Sequence, residues 1–191
     1  MKHPFGLYCY DLDYLLNDCK KLSTFMTRAR NQAESNPNYF DPDKYFGDAF
    51  EALVESMIVQ MGSSPYIQIK DYTPVLENDL GVDGYGYGAD GEIHTVQAKA
   101  RGNSNRSLTA NRDHISNFVA HSHAKFGGDS KVKHMTIFTT AKDLHSVTQE
   151  MYNNEVKVLG NNELRKLVDN NQMFWTNFRD QLQTRNGEYT G

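Results

Sequence analysis

At 191 residues the chain can bury a sizeable core, and one domain is the expectation. Hydrophobic content of 38% and a mean hydropathy of -0.68 describe a polar-surfaced protein. No apolar run nears the ~20 residues that a membrane helix requires. The net charge of -4 argues against a chain that is basic throughout, but the balance is uneven: residues 1–98 carry 7 Lys+Arg against 15 Asp+Glu, hence -8, and residues 99–191 carry 13 against 9, hence +4.

The opening stretch, MKHPFGLYCYDLDY, has no apolar run ending in small residues, so no signal peptide is expected. Cys9 and Cys19 then read as reduced thiols of a cytoplasmic protein, not as a disulfide or zinc pair. Leu15, Leu16, Cys19, Leu22, Phe25, Met26 and Ala29 recur at helical spacing and predict a helix over 11–33, with a break at 35–38 around Pro37. A second helix starts at Asp41 as cap and Pro42 as first residue, its apolar stripe running from Tyr45 to Met61. Glu51 and Glu55 share one side of it.

A strand is expected over 66–73, followed by a hairpin over 80–101, LGVDGYGYGADGEIHTVQAKAR. Gly88-Ala89-Asp90-Gly91 supplies the turn. Beyond it, alternation sends Ile93, Thr95, Gln97 and Lys99 to one face and His94, Val96 and Ala98 to the other. Asp83 can then lie beside Gln97 and Lys99, and acid, amide and ammonium converge in a way that suits a divalent metal with a lysine beside it. The plainer alternative for Asp83 and Lys99 is a cross-strand ion pair. After the hairpin come a polar loop at 102–107, a helix at 111–126 and a strand at 134–140. A short helix at 143–152, a strand at 156–159 and a last helix at 163–183 follow, with a frayed tail from Thr184. Lys99, Arg101, Arg106, Arg112, Lys125, Lys131 and Lys133 against Asp113 and Asp129 make this half locally basic, a face that can bind phosphates. The order of elements predicts an α/β fold, a mixed sheet packed by helices.

Two other motifs carry less. Gly86-x-Gly88-x-x-Gly91 matches a dinucleotide fingerprint, but a strand follows where the pyrophosphate needs a helix N-terminus, so no nucleotide cofactor is expected. His121, His123, His134 and His145 lack a metal-binding spacing and read as surface or packing residues.

The larger arrangement resembles the Mrr-like branch of the PD-(D/E)XK nuclease superfamily. Phe50-Glu51 in GDAFEALVESMIVQMG looks like its Phe-Glu helix. Asp79-Leu80-Gly81-Val82-Asp83-Gly84 looks like its Gly-Asp-x-Gly-Val-Asp turn, with Asn78 where the first glycine is usual. Val96-Gln97-Ala98-Lys99 looks like its Val-Gln-x-Lys strand, and Ile137 to Ala141 like its Phe-Thr-Thr strand end. Val156 to Gly160, followed by Glu163-Leu164, looks like its closing strand and helix.

This resemblance implies a restriction-endonuclease-like core over 46–184 and leaves 1–45 as an N-terminal helical extension with no counterpart in the family; the polar residues 185–191 are expected as a flexible tail. It implies a DNA endonuclease using Mg²⁺ or Mn²⁺. Asp83 would be the central ligand, Glu51 would approach from the helix, and Gln97 and the Ala98 carbonyl would complete the oxygen set. Lys99 would position the attacking water and steady the transition state. Gln97 stands where most of the superfamily has an acid, which implies weaker metal binding. Arg101, Arg106, Ser107, Thr109, Asn111 and Arg112 would grip DNA phosphates, and a homodimer could make paired cuts. The rival readings are a DNA-binding protein that keeps the fold without the chemistry, and a subunit docking onto a motor or recognition partner.

Overall fold

The computed structural model describes residues 1–2, 11–35, 41–76, 81–127, 132–152 and 155–190, the side chains of 186–190 excepted. Cys9, the Pro37 break, Asn78 and Asp79 of the acidic turn, Asp129, Lys131 and Gly191 lie outside these residues.

The helix expected over 11–33 is two helices, α1 (Leu12–Leu16) and α2 (Leu22–Ser35). Asp18 turns the chain between them with φ at 51°, a left-handed conformation that Asp tolerates better than most residues. Arg28 Nη1 ties the turn down by donating to Asn17 O at 2.7 Å. The apolar period continues across this break, which is why it reads as one helix in sequence. Helix α3 (Pro42–Met61) begins as expected: Asp41 accepts from the N–H groups of Asp43 and Lys44, each at 3.1 Å, and Pro42 occupies the first turn.

The first strand is shorter and later than expected. Residues after Ser64 form turns, with Ile67 N and Gln68 N both donating to Ser64 O, and β1 spans Lys70–Pro74. Left-handed Gln68 breaks the extended run, and Asp71 makes an irregularity inside the strand. The hairpin follows as β2 (Gly84–Tyr87) and β3 (Ile93–Lys99), closed by Gly91 N donating to Gly88 O at 3.0 Å. Then come α4 (Ile115–Lys125), β4 (Val132–Thr139), α5 (Ser146–Met151) and β5 (Val156–Leu159). The last helix is again two: α6 (Asn161–Val168) and α7 (Gln172–Thr190), so the backbone stays helical beyond the predicted end at 183. Asn170, with φ at 58°, makes the turn, and Asn171 caps α7 by accepting from Phe174 N.

Among the described residues the five strands form one sheet in sequence order. β1, β2 and β3 pair antiparallel; β3, β4 and β5 pair parallel. Proline at the end of β1 is tolerated because β1 is an edge strand. Strand alternation divides the core. Val96, Phe138 and Leu159 pack with α1, α2, α3, α6 and α7 on one face; Met135, Ile137 and Val156 pack with Ile115 and Phe118 of α4 on the other. The architecture is α/β, a mixed sheet flanked by helices with added N-terminal helices. The N-terminal helices are not peripheral to it, since Leu15, Leu22, Phe25 and Ala29 share one apolar cluster with α3 and α7.

Candidate active site

The site is set by where β2 and β3 stop pairing. Gly84 is the last paired residue of β2, opposite Val96, and Asp83 continues the ladder with its N–H donated to Val96 O at 2.9 Å. Extended by one residue, that register sets Asp83 opposite Gln97. Its side chain turns along β3, and Oδ2 accepts from Ala98 N at 2.7 Å. The Asp83 carboxyl lies well above its ordinary pKa, chiefly through burial and then through the charge of Glu51; Ala98 N–H and the Lys99 ammonium oppose this, and Asp48 adds to it.

Glu51 reaches this neighbourhood from α3. Its neighbour Phe50 is fully buried in the core, which anchors the helix face from which Glu51 emerges half-buried. Sequence reasoning missed Asp48, one turn earlier on α3 and nearly buried, where Lys44 Nζ holds it at 3.1 Å. The i, i+3 spacing of Asp48 and Glu51 was the available signal. Tyr72 was also missed. It crosses from β1 so that a Cβ added to Gly84 would overlap its hydroxyl, and its phenol is pushed well up by burial and by the charges of Asp83, Glu51 and Glu55.

Gln97 is 1% exposed, and neither Oε1 nor Nε2 has a hydrogen-bond partner. It faces α4: a Cβ on Gly81 would stand 3.4 Å from Gln97 Nε2 and 3.1 Å from the Phe118 backbone. An unpaired buried amide costs about 1–3 kcal/mol, and a ligand that took its oxygen would recover that cost. Lys99 is half-buried; burial lowers its pKa, as does Arg101, against the pull of Asp83, Asp113 and Glu51. Acid, glutamate and lysine thus feel one another electrostatically. Among the described residues, however, no three Asp, Glu, His or Cys side chains converge into a ready metal cage.

The residues expected to grip phosphates divide in two. Arg101 donates from Nε to Asp113 Oδ1 at 3.0 Å, and Arg112 Nε lies 3.7 Å from Asp113 Oδ2. Buried Asp113 also accepts from Thr109 N at 2.7 Å. Burial would raise the Asp113 carboxyl, but these partners together hold it below its ordinary value. Ser107 Oγ bonds Asp143 Oδ1. Arg106 and Asn111 are exposed. Arg101, Arg106, Ser107 and Arg112 border one cleft of about 370 Å³.

Gly86 and Gly88 enter a strand turn, so the glycine motif cradles no helix terminus. At the far end of the sheet His94 and His134 lie with ring centroids 5.3 Å apart, but Nε2 of His94 meets Thr136 and Nε2 of His134 meets Asp90. Burial, more than the nearby His134, pulls the pKa of His94 down to about 4.

No protein-family model matches the chain, and no curated protein does. Solved structures similar in arrangement include the following three. The Vibrio cholerae protein VC1899 is 15% identical, with a TM-score of 0.47, over 97% of this chain and 52% of that one. The DNA modification-dependent restriction endonuclease AspBHI is 15% identical, with a TM-score of 0.48, over 96% of this chain and 43% of that one. EndoMS, in a complex with double-stranded DNA, is 19% identical, with a TM-score of 0.33, over 57% of this chain and 45% of that one. The chain spans about half, or less, of each of these proteins. No helix among the described residues is long and apolar enough to cross a membrane.

Proposed function

We propose that the protein is a metal-dependent endonuclease that hydrolyses DNA phosphodiester bonds at Asp83, Glu51, Gln97 and Lys99. The observation that carries this reading is the state of Asp83. Its carboxylate is fixed on Ala98 N–H and crowded by Glu51 in a desolvated place, so its charge lacks full compensation. A divalent cation would supply that compensation. The donors that would hold it, the carboxylates of Asp83 and Glu51, the amide oxygen of Gln97 and the Ala98 carbonyl, are all oxygens, which would suit Mg²⁺ or Mn²⁺ and not a soft metal.

When bound, such a cation would polarise the phosphoryl group and lower the pKa of an attacking water. The chain's own groups do the rest. Ala98 N–H holds the Asp83 carboxylate in one orientation. Lys99, as an ammonium, donates to the attacking water and to the phosphoryl oxygen on which charge accumulates. Tyr72 packs over Gly84, next to Asp83, and feels its charge. Arg101, fixed by Asp113, is placed two residues from Lys99 to hold a neighbouring phosphate.

The test is cleavage of supercoiled plasmid in Mg²⁺ or Mn²⁺ by wild type beside Asp83→Ala and Lys99→Ala. Cutting by wild type alone supports the reading; equal cutting by the variants sinks it. The neutral Gln97 in place of a third acid favours one second reading, a DNA-binding protein on this fold without chemistry. DNA binding with no cutting on duplex, junction or single-stranded substrates would select it.

A further inference from the structure

A large cleft lies where the N-terminal helices meet the core. It measures about 410 Å³, within the ~300–1,000 Å³ range of ligand clefts. Ser23, Thr27 and Arg30 of α2 form one wall, Arg165 of α6 another, and Arg101 and Thr140 its floor. Among the described residues no acidic side chain lines it, although the chain as a whole is acidic.

Each arginine is paired with a carboxylate that is not part of the cleft lining. Arg30 stacks its guanidinium 4.0 Å over the Phe46 ring and pairs with Asp43 at 2.6 Å. Arg165 pairs with Asp169 at 3.1 Å, one turn along α6. Arg101 pairs with Asp113, and its backbone N–H donates to Thr140 Oγ1 at 2.6 Å. A guanidinium carries five N–H donors, and a single carboxylate cannot occupy them all. Preorganised arginines of this kind, with exposed Ser23 and Thr27 beside them, are phosphate-binding chemistry. Arg101 and Gly102 also border the second cleft, with Arg106 and Arg112. The two clefts therefore meet at Arg101 and Gly102, two and three residues after Lys99 in the chain.

We infer that α2 and α6 bind the DNA backbone on one side of the candidate cleavage site, with Arg30 and Arg165 each holding a phosphate. This rests on the nuclease reading for the identity of the polyanion. It gives the N-terminal helices a part in substrate binding, where the sequence assigns phosphate binding only to the half of the chain after β3.

The test is fluorescence anisotropy of a labelled DNA duplex with the full chain across a salt series. Arg30→Gln/Arg165→Gln should bind about tenfold more weakly, with a salt slope shallower by about two, one for each phosphate no longer neutralised. Because Arg30 also stacks on Phe46, Thr27→Glu provides a second variant, which leaves both arginines intact and places a negative charge on the cleft wall. It should weaken binding several-fold. Arg179→Gln, which removes a positive charge from α7 outside the cleft, should not alter the slope. Wild-type affinity and slope in both cleft variants, or an equal weakening in Arg179→Gln, would overturn the inference and leave the nuclease reading standing. If wild type binds no DNA at any salt concentration, the nuclease reading fails and takes the inference with it.

Discussion

The carboxylate of Asp83 accepts from the backbone N–H of Ala98 at 2.7 Å, so the acid of one hairpin strand is pinned to the Gln-x-Lys segment of the other. The same carboxylate is pushed toward protonation by burial and by Glu51. Fixed geometry and a disfavoured charge on one group are the features on which the proposed cation site rests.

Asp83→Asn keeps an acceptor for Ala98 N–H and removes the disfavoured charge. In chelator at neutral pH the variant should melt about 2–4 °C above wild type, equivalent to about 1 kcal/mol in a chain of this size, and it should cut no DNA. Thermal melts with and without Mn²⁺ provide the check. A lower melting temperature than wild type would show that the charge is well compensated.

The pH dependence follows from the same shift. A carboxyl raised in the folded state keeps its proton where the unfolded chain has lost it, so Asp83 makes the metal-free protein less stable as pH rises from the ordinary carboxylate range through the raised value. A cation needs the ionised form, so its affinity should climb over that interval with release of a proton, measurable by calorimetry in two buffers of different ionisation enthalpy. Lys99 is shifted the other way, downward by burial and Arg101, and activity should fall on the alkaline side before the ordinary lysine range is reached. Metal affinity that does not change with pH would refute the assignment of Asp83 as ligand.

Gln97→Glu would put a charge at a position that is 1% exposed and has no partner for its amide. In chelator it should destabilise the fold by about 1–3 kcal/mol. Mn²⁺ should restore that stability and bind roughly tenfold more tightly than to wild type. Destabilisation that metal does not relieve would place Gln97 outside the coordination set.

Gly84→Ala tests Tyr72. The added methyl would overlap the Tyr72 hydroxyl, so the ring must leave its place beside Asp83. A destabilisation of about 1–3 kcal/mol is expected, much smaller in a Tyr72→Ala background, and the double-mutant cycle measures the difference. Equal costs in both backgrounds would mean that the ring yields freely.

Much of this was legible in the sequence because local chemistry and tertiary context agree there. Asp41 and Pro42 start α3, alternation places Val96 and Gln97 on opposite faces, and the glycine turn sets the register that brings Asp83 to β3. The reading failed where polar residues in left-handed conformations interrupt an apolar period. Asp18 splits α1 from α2, Gln68 delays β1, and Asn170 splits α6 from α7. Periodicity does not register a break that preserves the buried face, although Asp169-Asn170-Asn171 is a recognisable turn signal. Tyr72 was invisible for another reason: it matters through Asp83 and Gly84, neighbours distant in sequence. Equally hidden was the pairing of Arg101 and Arg112 with Asp113, which turns two expected surface cations into parts of a fixed network.

Helices α2 and α7 close on each other, with Phe25 of α2 5.4 Å from Phe178 and 6.0 Å from Trp175. Leu22 N, at the start of α2, is capped by Asp169 Oδ1 at 2.9 Å, and Asn170 N donates to Lys20 O at 2.6 Å. During synthesis α2 therefore leaves the ribosome long before the helix that covers it exists. The part of its apolar face that α7 covers waits open while the sheet is made, and a chain halted before Asp169 would lack the Trp175 and Phe178 side of the Phe25 packing. Completion of the fold is a late event, set by the arrival of α7.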